Sequence, residues 1–283
     1  MYRIGIQSCG YELTEENFAK LQASKIDAIE ISMATEKFDK INYKEVKYLA
    51  DKYGIELWSY HLPFYPFSQL NIASLNEDVR KNTIEYYKSL ITKSTEIGIN
   101  KFIVHPSGEP NADNQREEII KCSMESLDTL AEFANKQNAV IAVEDLPRTC
   151  IGNTSDEILR LLTANDKLRI CFDTNHLLKD SNLDFIKKCG DKIITIHVSD
   201  YDFIDEKHWL PGEGKINWKE FIDNFNKINY KGVWMYELSL RNESTISRNR
   251  DLTFDDFYIN ANNIFNGEDP LKSIPNLTRK YLV

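Results

Sequence analysis

Short apolar runs alternate along this chain with longer stretches in which apolar and polar positions follow a helical period. The runs are RIGIQ (3–7), DAIEIS (27–32), IELWSYH (55–61), KFIVH (101–105), AVIAVE (139–144), LRICFD (168–173), KIITIHV (192–198) and GVWMYEL (232–238). Each has the length of a strand, and their largely unbroken apolar character suits parallel strands covered on both faces. The stretches TEENFAKLQASK, YKEVKYLADKY, EDVRKNTIEYYKSLITKSTEIG, QREEIIKCSMESLDTLAEFANKQN, SDEILRLLTA, NLDFIKKCG, NWKEFIDNFNKI and FDDFYINANNIF read as amphipathic helices. Thr154 and Glu157 stand at capping-box spacing ahead of the fifth of these. Eight strands alternating with eight helices predict an α/β fold, a closed (β/α)8 TIM barrel whose βα-loops all open on one face.

Length alone would allow two domains, but a barrel of this kind occupies 283 residues as one. No Pro/Gly/Ser-rich linker divides the chain, so residues 1–283 are read as a single barrel domain. Residues 267–283, past the eighth helix, are read as a C-terminal arm that lies over the barrel or reaches a partner. No apolar run approaches the roughly 20 residues of a membrane span, and the N-terminus lacks a basic segment followed by a long apolar one. The expectation is a cytoplasmic protein without a membrane partner. Five widely spaced cysteines with no CxxC pair argue against a disulfide framework or a structural zinc ribbon. A net charge of -9 provides no basic footprint, so no nucleic-acid partner is expected.

In a TIM barrel the chemistry is carried at the C-terminal ends of the strands. Those ends hold His61, His105, Glu144, Asp173 with His176 just beyond, His197 and Glu237. His208 follows in the loop after the seventh strand, so all five histidines of the chain converge on one mouth. Taken singly, His61, His105 or His197 reads equally well as a hydrogen-bonded core imidazole. A carboxylate closing an apolar strand is costlier unless it is paired, exposed or bound to a cation. Neighbouring strands lie roughly 4.8 Å apart, so Glu144, Asp173, His197 and Glu237 form an arc suited to one divalent cation. This mostly oxygen set favours manganese or magnesium, with cobalt or zinc also admitted, whereas His61 and His105 would prefer zinc.

The segments VEDLP, CFDTNH, HVSDYD, LPGEGKINW and MYELS together resemble the sugar-phosphate isomerase/epimerase superfamily, the xylose-isomerase-like barrels. The likeness runs from IGIQ at the first strand to YELS at the eighth, through LNIAS and GINKFIVHPSG. It implies one divalent ion on Glu144, Asp173, His197 and Glu237, with Glu144 and Glu237 as an acid/base pair. His176 is then a substrate-oxygen contact, and His61, His105, His208 and Arg241 are further candidates for substrate binding. The implied substrate is a carbohydrate, a sugar phosphate or a polyol ketone, and relatives that pair leave a homo-oligomer open. The implied reaction is isomerisation or epimerisation. A proton is removed alpha to a carbonyl, a cation stabilises the resulting enediolate, and two glutamates on opposite faces remove and return the proton. An inosose-type dehydratase would use the same base and metal, and a barrel without chemistry would only bind a sugar.

Zinc-dependent abasic-site endonucleases belong to the same superfamily and use His61-, His105- and His208-like positions as additional ligands. Their D-x-H motif is altered here: Asp205 stands three residues before His208 and Glu206 two before. A phosphodiesterase of that type is therefore the alternative reading, with its third zinc site in question because the carboxylate stands at an altered register or is a glutamate. Arg241, Arg248 and Arg250 read as a solvated loop more readily than as a phosphate grip. Tyr60, Phe64, Tyr65 and Phe67 suit either a sugar wall or ordinary packing, and the glycines of LPGEGKIN suit a loop turn.

Overall fold

A computed structural model describes residues 1–241 and 244–282. Its parallel strands are β1 (Arg3–Gln7), β2 (Ala28–Ile31), β3 (Glu56–His61), β4 (Lys101–Val104), β5 (Val140–Glu144), β6 (Arg169–Asp173), β7 (Ile193–Val198) and β8 (Val233–Tyr236). They pair in chain order, and β8 pairs back to β1 to close the barrel. Outside it lie α1 (Glu15–Ala23), α2 (Thr35–Phe38), α3 (Tyr43–Tyr53), α4 (Glu77–Thr95), α5 (Arg116–Asn135), α6 (Ser155–Leu162), α7 (Asn182–Cys189), α8 (Trp218–Phe225) and α9 (Phe254–Phe265). Among the described residues no helix is long and apolar enough to cross a membrane.

Side chains alternate across a strand, which divides the apolar residues into two populations. Ile4, Ile29, Phe102, Ile141, Phe172 and Trp234 face the helices and join the large core between sheet and helical ring. Their neighbours face inward as two small clusters, Ala28 with Trp58, Val233 and Met235, and Ile103 with Ala142 and Cys171. Gly5 belongs to this inner layer, because a Cβ there would stand 2.6 Å from Val233 Cγ1. Two residues further along each strand the same face turns polar. Gly5 leads to Gln7, Ala28 to Glu30, Ile103 to His105, Ala142 to Glu144, Cys171 to Asp173 and Met235 to Glu237. The apolar inner layer is thus a floor, and a ring of chemistry-bearing side chains stands on it.

The capping box expected at α6 forms only by half. Thr154 Oγ1 accepts from the Glu157 amide at 3.3 Å, while the Glu157 carboxylate turns to the Gly152 amide and Arg116. Two further elements carry no periodic signal, the single turn α2 and the antiparallel pair β9 (Ile246–Arg248) with β10 (Arg279–Tyr281). The C-terminal arm folds back on its own barrel through that pair, and Val283 lies outside the described residues. The loop read as solvated is likewise tied down. Arg248 is fully buried against Glu213 at 2.7 Å, and Arg250 pairs with Asp256 at 2.7 Å. These arginines face acids, so neither forms the phosphate grip.

Candidate metal centre

The barrel brings the expected side chains to one mouth. Glu144 and Asp173 close β5 and β6, His197 precedes the last residue of β7, and His61 ends β3. His105 and Glu237 stand one residue past β4 and β8. Four sets of donor atoms lie within 4.8 Å of one another: His61 with Glu144, His197 and Glu237; Glu144 with Asp173 and His176; Asp173 with His208 and Glu237; and His176 with Glu206 and His208. His105 adjoins the first set, with its Nε2 3.0 Å from Glu144 Oε2. Arg241 is not brought in. It lines a separate cavity of about 1010 Å³ with Ser8, Cys9 and Lys37. Of the aromatic candidates, Phe64 stacks on the His105 ring at 4.0 Å. Tyr60 is buried in the outer core, bonded to Tyr43, and Tyr65 is exposed.

The hydrogen-bond polarity of the histidines shows what the mouth is built to hold. Nδ1 of His61 lies 3.0 Å from Leu62 O, that of His176 2.8 Å from Asp145 O, and that of His208 3.2 Å from Glu237 O. A carbonyl oxygen only accepts, so each Nδ1 carries the proton and the neutral ring's lone pair sits on Nε2. Those Nε2 atoms point at acids: His61 at Glu144 Oε2, 3.1 Å away, and His176 at Asp173 Oδ2 and Glu206 Oε2, both 3.5 Å away. Acceptor facing acceptor is unfavourable unless a proton or a cation lies between. Burial holds His176 below its ordinary pKa, which disfavours the proton there. At His61, burial alone would lower the pKa, but the Glu144 carboxylate outweighs it and raises the ring.

Charge tells the same story from the acid side. Burial, then the neighbouring Glu237 charge, pushes Asp173 well above the usual carboxylate range. Burial would do the same to Glu144, but His197, His105 and His61 override it and hold that carboxyl well below its ordinary value. Asp173 Oδ2 is buried without a hydrogen-bond partner, a cost that a divalent cation would remove. The imidazole and carboxylate donors therefore fit a divalent metal.

Several contributors escaped the sequence reading. Glu30, fully buried on β2, lies 2.9 Å behind His197 Nε2 and receives hydrogen bonds from Gln7 and Ser59. It leaves His197 Nδ1 facing Glu144 at 2.7 Å and Glu237 at 2.9 Å, the kind of support that orients a ligating imidazole. Gln7 also donates to Glu237 Oε1 at 2.8 Å. The only available signal was a glutamate two residues after Ala28 inside an apolar run. Asn175 Oδ1 accepts from the amides of Lys207 and His208 at 2.9 and 3.3 Å. It thereby fixes His208, whose φ of +49° is unusual for a residue with a side chain.

At the altered D-x-H register the structure sends the two acids to different partners. Asp205 turns to Arg148, and the longer Glu206 reaches His176 in its place. Glu206 thus groups with His176 and His208. The LPGEGKIN segment does serve a turn. It wraps Asp200, which accepts from Trp218 Nε1, Gly212 N and Ile216 N at 2.8, 2.8 and 3.1 Å. A Cβ on Gly214 would collide with that carboxylate and with Tyr201 O.

Comparison with known proteins agrees with this architecture. An uncharacterized protein of Methanocaldococcus jannaschii is 31% identical over 245 residues, 82% of each chain. A probable endonuclease 4 of Thermoplasma acidophilum is 29% identical over 185 residues, 59% of this chain and 61% of the relative. Among solved structures, a D-tagatose 3-epimerase-like protein superposes with a TM-score of 0.74 at 28% identity, covering 84% of this chain and 91% of that one. The family described as xylose isomerase-like TIM barrel matches residues 18–254. With its eight-stranded parallel barrel and its polar ring at the C-terminal mouth, the chain belongs to the xylose isomerase-like TIM barrel family.

Proposed function

We propose that this protein is a metal-dependent phosphoester hydrolase that holds more than one divalent ion at the barrel mouth. The observation that carries the reading is the His176, Glu206 and His208 set standing beside the His61, Glu144, His197 and Glu237 set, with Asp173 grouped instead with Glu144 and His176 or with His208 and Glu237. With a single cation that second set is left to substrate contacts alone. Glu144 has the character of a shared ligand, with Oε2 facing both His61 and His105 and Oε1 facing His197. Similarity to a probable endonuclease 4 supports the reading, and the net charge of -9 favours a small sugar-containing phosphoester over a nucleic-acid duplex.

When bound, such ions would supply positive charge against the oxygens of a phosphoryl group. The chain's own residues do the rest. A pocket of about 150 Å³ between Phe64, Leu146, His176, Glu206, His208 and Glu237 admits a group of phosphoryl size. Phe64 also borders a neighbouring cavity of about 310 Å³ next to His61, room for the remainder of a sugar ester. Glu237 lines the pocket with Glu206 and Glu109, and its side chain is 14% exposed where Glu144 is wholly covered. Glu237 takes the proton as water adds to phosphorus, the ester P–O bond breaks, and Glu237 returns that proton to the departing oxygen. The test is hydrolysis of bis-p-nitrophenyl phosphate and p-nitrophenyl phosphate by zinc-loaded protein, with His176→Ala as control. Turnover that the control lacks supports the reading, and no hydrolysis of any phosphoester, abasic-site DNA included, contradicts it.

A second reading is sugar isomerisation or epimerisation by proton transfer alpha to a carbonyl. Glu144, Asp173, His197 and Glu237 on adjacent strands favour it, as does the D-tagatose 3-epimerase-like neighbour. It requires Glu144 to leave His61 and His105 and act opposite Glu237 as the paired acid and base. Deuterium uptake from D2O into a panel of ketoses and their phosphates distinguishes it, because hydrolysis exchanges no carbon-bound proton.

A further inference from the structure

Arg148 stands where three loops over the mouth meet. It lies in the loop after β5 and bonds to Glu109 from the loop after β4, with Nε 3.1 Å from Oε2. From the loop after β7 it takes Asp205, Nη1 to Oδ1 at 2.7 Å, and Glu206, Nη2 to Oε1 at 3.2 Å. One guanidinium against three carboxylates leaves this group net negative, so Arg148 is already committed and is not a receptor for a substrate anion. Glu206 is divided between two tasks: Oε1 faces Arg148 while Oε2 faces His176 Nε2.

The backbone is constrained to deliver that guanidinium. Arg148 has φ +52°, the left-handed region that costs a residue with a side chain. Its carbonyl accepts from the buried Asn153 amide at 2.7 Å, which holds the turn. We propose that Arg148 is a positioning residue that presents Glu206 to His176 and His208, so that the ion of this set depends on the three-loop clasp. The proposal rests on the multi-metal reading above. Without the guanidinium, Glu206 would be repelled by Glu109 and Asp205 on one side and by Asp173 and Glu237 on the other, and would turn to solvent.

The test is elemental analysis of zinc per chain across a titration with buffered zinc, and the visible spectrum of the cobalt-substituted protein. Wild type, His208→Ala and Arg148→Ala are compared. His208→Ala identifies the ion concerned. Arg148→Ala is expected to weaken that same ion by about 10- to 100-fold, the usual effect of losing a residue that orients a ligand, while the ions around Glu144 are retained. Arg148→Lys, a point charge without the fork, is expected to fall between the two, and it serves alone if Arg148→Ala does not fold. A wild type with no ion that His208→Ala releases overturns the multi-metal reading and the proposal together. A wild type that has this ion, with Arg148 variants that keep it at unchanged affinity, overturns the proposal alone.

Discussion

Glu206→Asp restores the aspartate two residues before His208 and is predicted to fail as a ligand. Glu206 Oε2 lies 3.5 Å from His176 Nε2. An ion held between a nitrogen at about 2.1 Å and an oxygen at about 2.2 Å allows the two donors a separation of at most about 4.3 Å. Removing one methylene withdraws the carboxylate by about 1.5 Å, one carbon–carbon bond. The separation then becomes about 5 Å, outside that limit. The loop cannot readily advance to compensate, because Asn175 grips the amides of Lys207 and His208 and Arg148 grips Asp205. Glu206→Asp should therefore lose the ion of the His176 set, weakening it about 10- to 100-fold, while leaving the Tm of the chelated protein unchanged. Competition against a chromophoric zinc chelator measures that affinity. Affinity equal to wild type would refute the reasoning, since it would show that the loop rearranges freely around whatever carboxylate it carries.

Under either functional reading Glu237→Gln removes the carboxylate at the pocket wall, and turnover should fall about 10²- to 10⁴-fold with circular dichroism unchanged; retained turnover would exclude Glu237 as the base. Arg248→Met leaves Glu213 buried and uncompensated, and is expected to cost about 3–5 kcal/mol in urea unfolding. Combining it with Glu213→Leu should recover much of that loss; a single variant as stable as wild type would contradict the buried pairing. Gly214→Ala should be destabilised beyond ordinary surface substitutions by its collision with Asp200 and Tyr201, as read from Tm. Chelation should lower Tm, because an ion at 100 times its Kd contributes about 2.7 kcal/mol; a Tm indifferent to chelator and to added zinc would speak against tight binding at the mouth.

The barrel was legible because burial on both faces leaves an unmistakable run of apolar residues, and such runs mark all eight strands. Polar strand ends were legible for the same reason: Glu144 and Asp173 interrupt runs that have no local need of a charge. Glu30 was not, since it sits inside the run of β2, and only the inward alternation from Ala28 shows its direction. Glu206 was hidden by register. A motif read by spacing treats Asp205 and Glu206 as a shifted aspartate, whereas the fold selects by reach, and glutamate reaches further. Which imidazole nitrogen faces the mouth depends on carbonyls of Leu62, Asp145 and Glu237, contacts that no local pattern encodes. Arg248 and Arg250 looked solvated because their partners Glu213 and Asp256 are chosen by tertiary packing. β9 and β10, three residues each, are too short for alternation to register.

Lone pairs and carboxylates converging on this mouth are proposed to hold more than one divalent ion. The direct measurement is metal content per chain by elemental analysis, on protein purified without chelator and again after zinc loading and gel filtration. Two or three zinc ions are expected, with at least one lost in His176→Ala. A single ion in every preparation, unchanged by that substitution, would contradict it and leave the arc of Glu144, Asp173, His197 and Glu237 as the whole of the metal site.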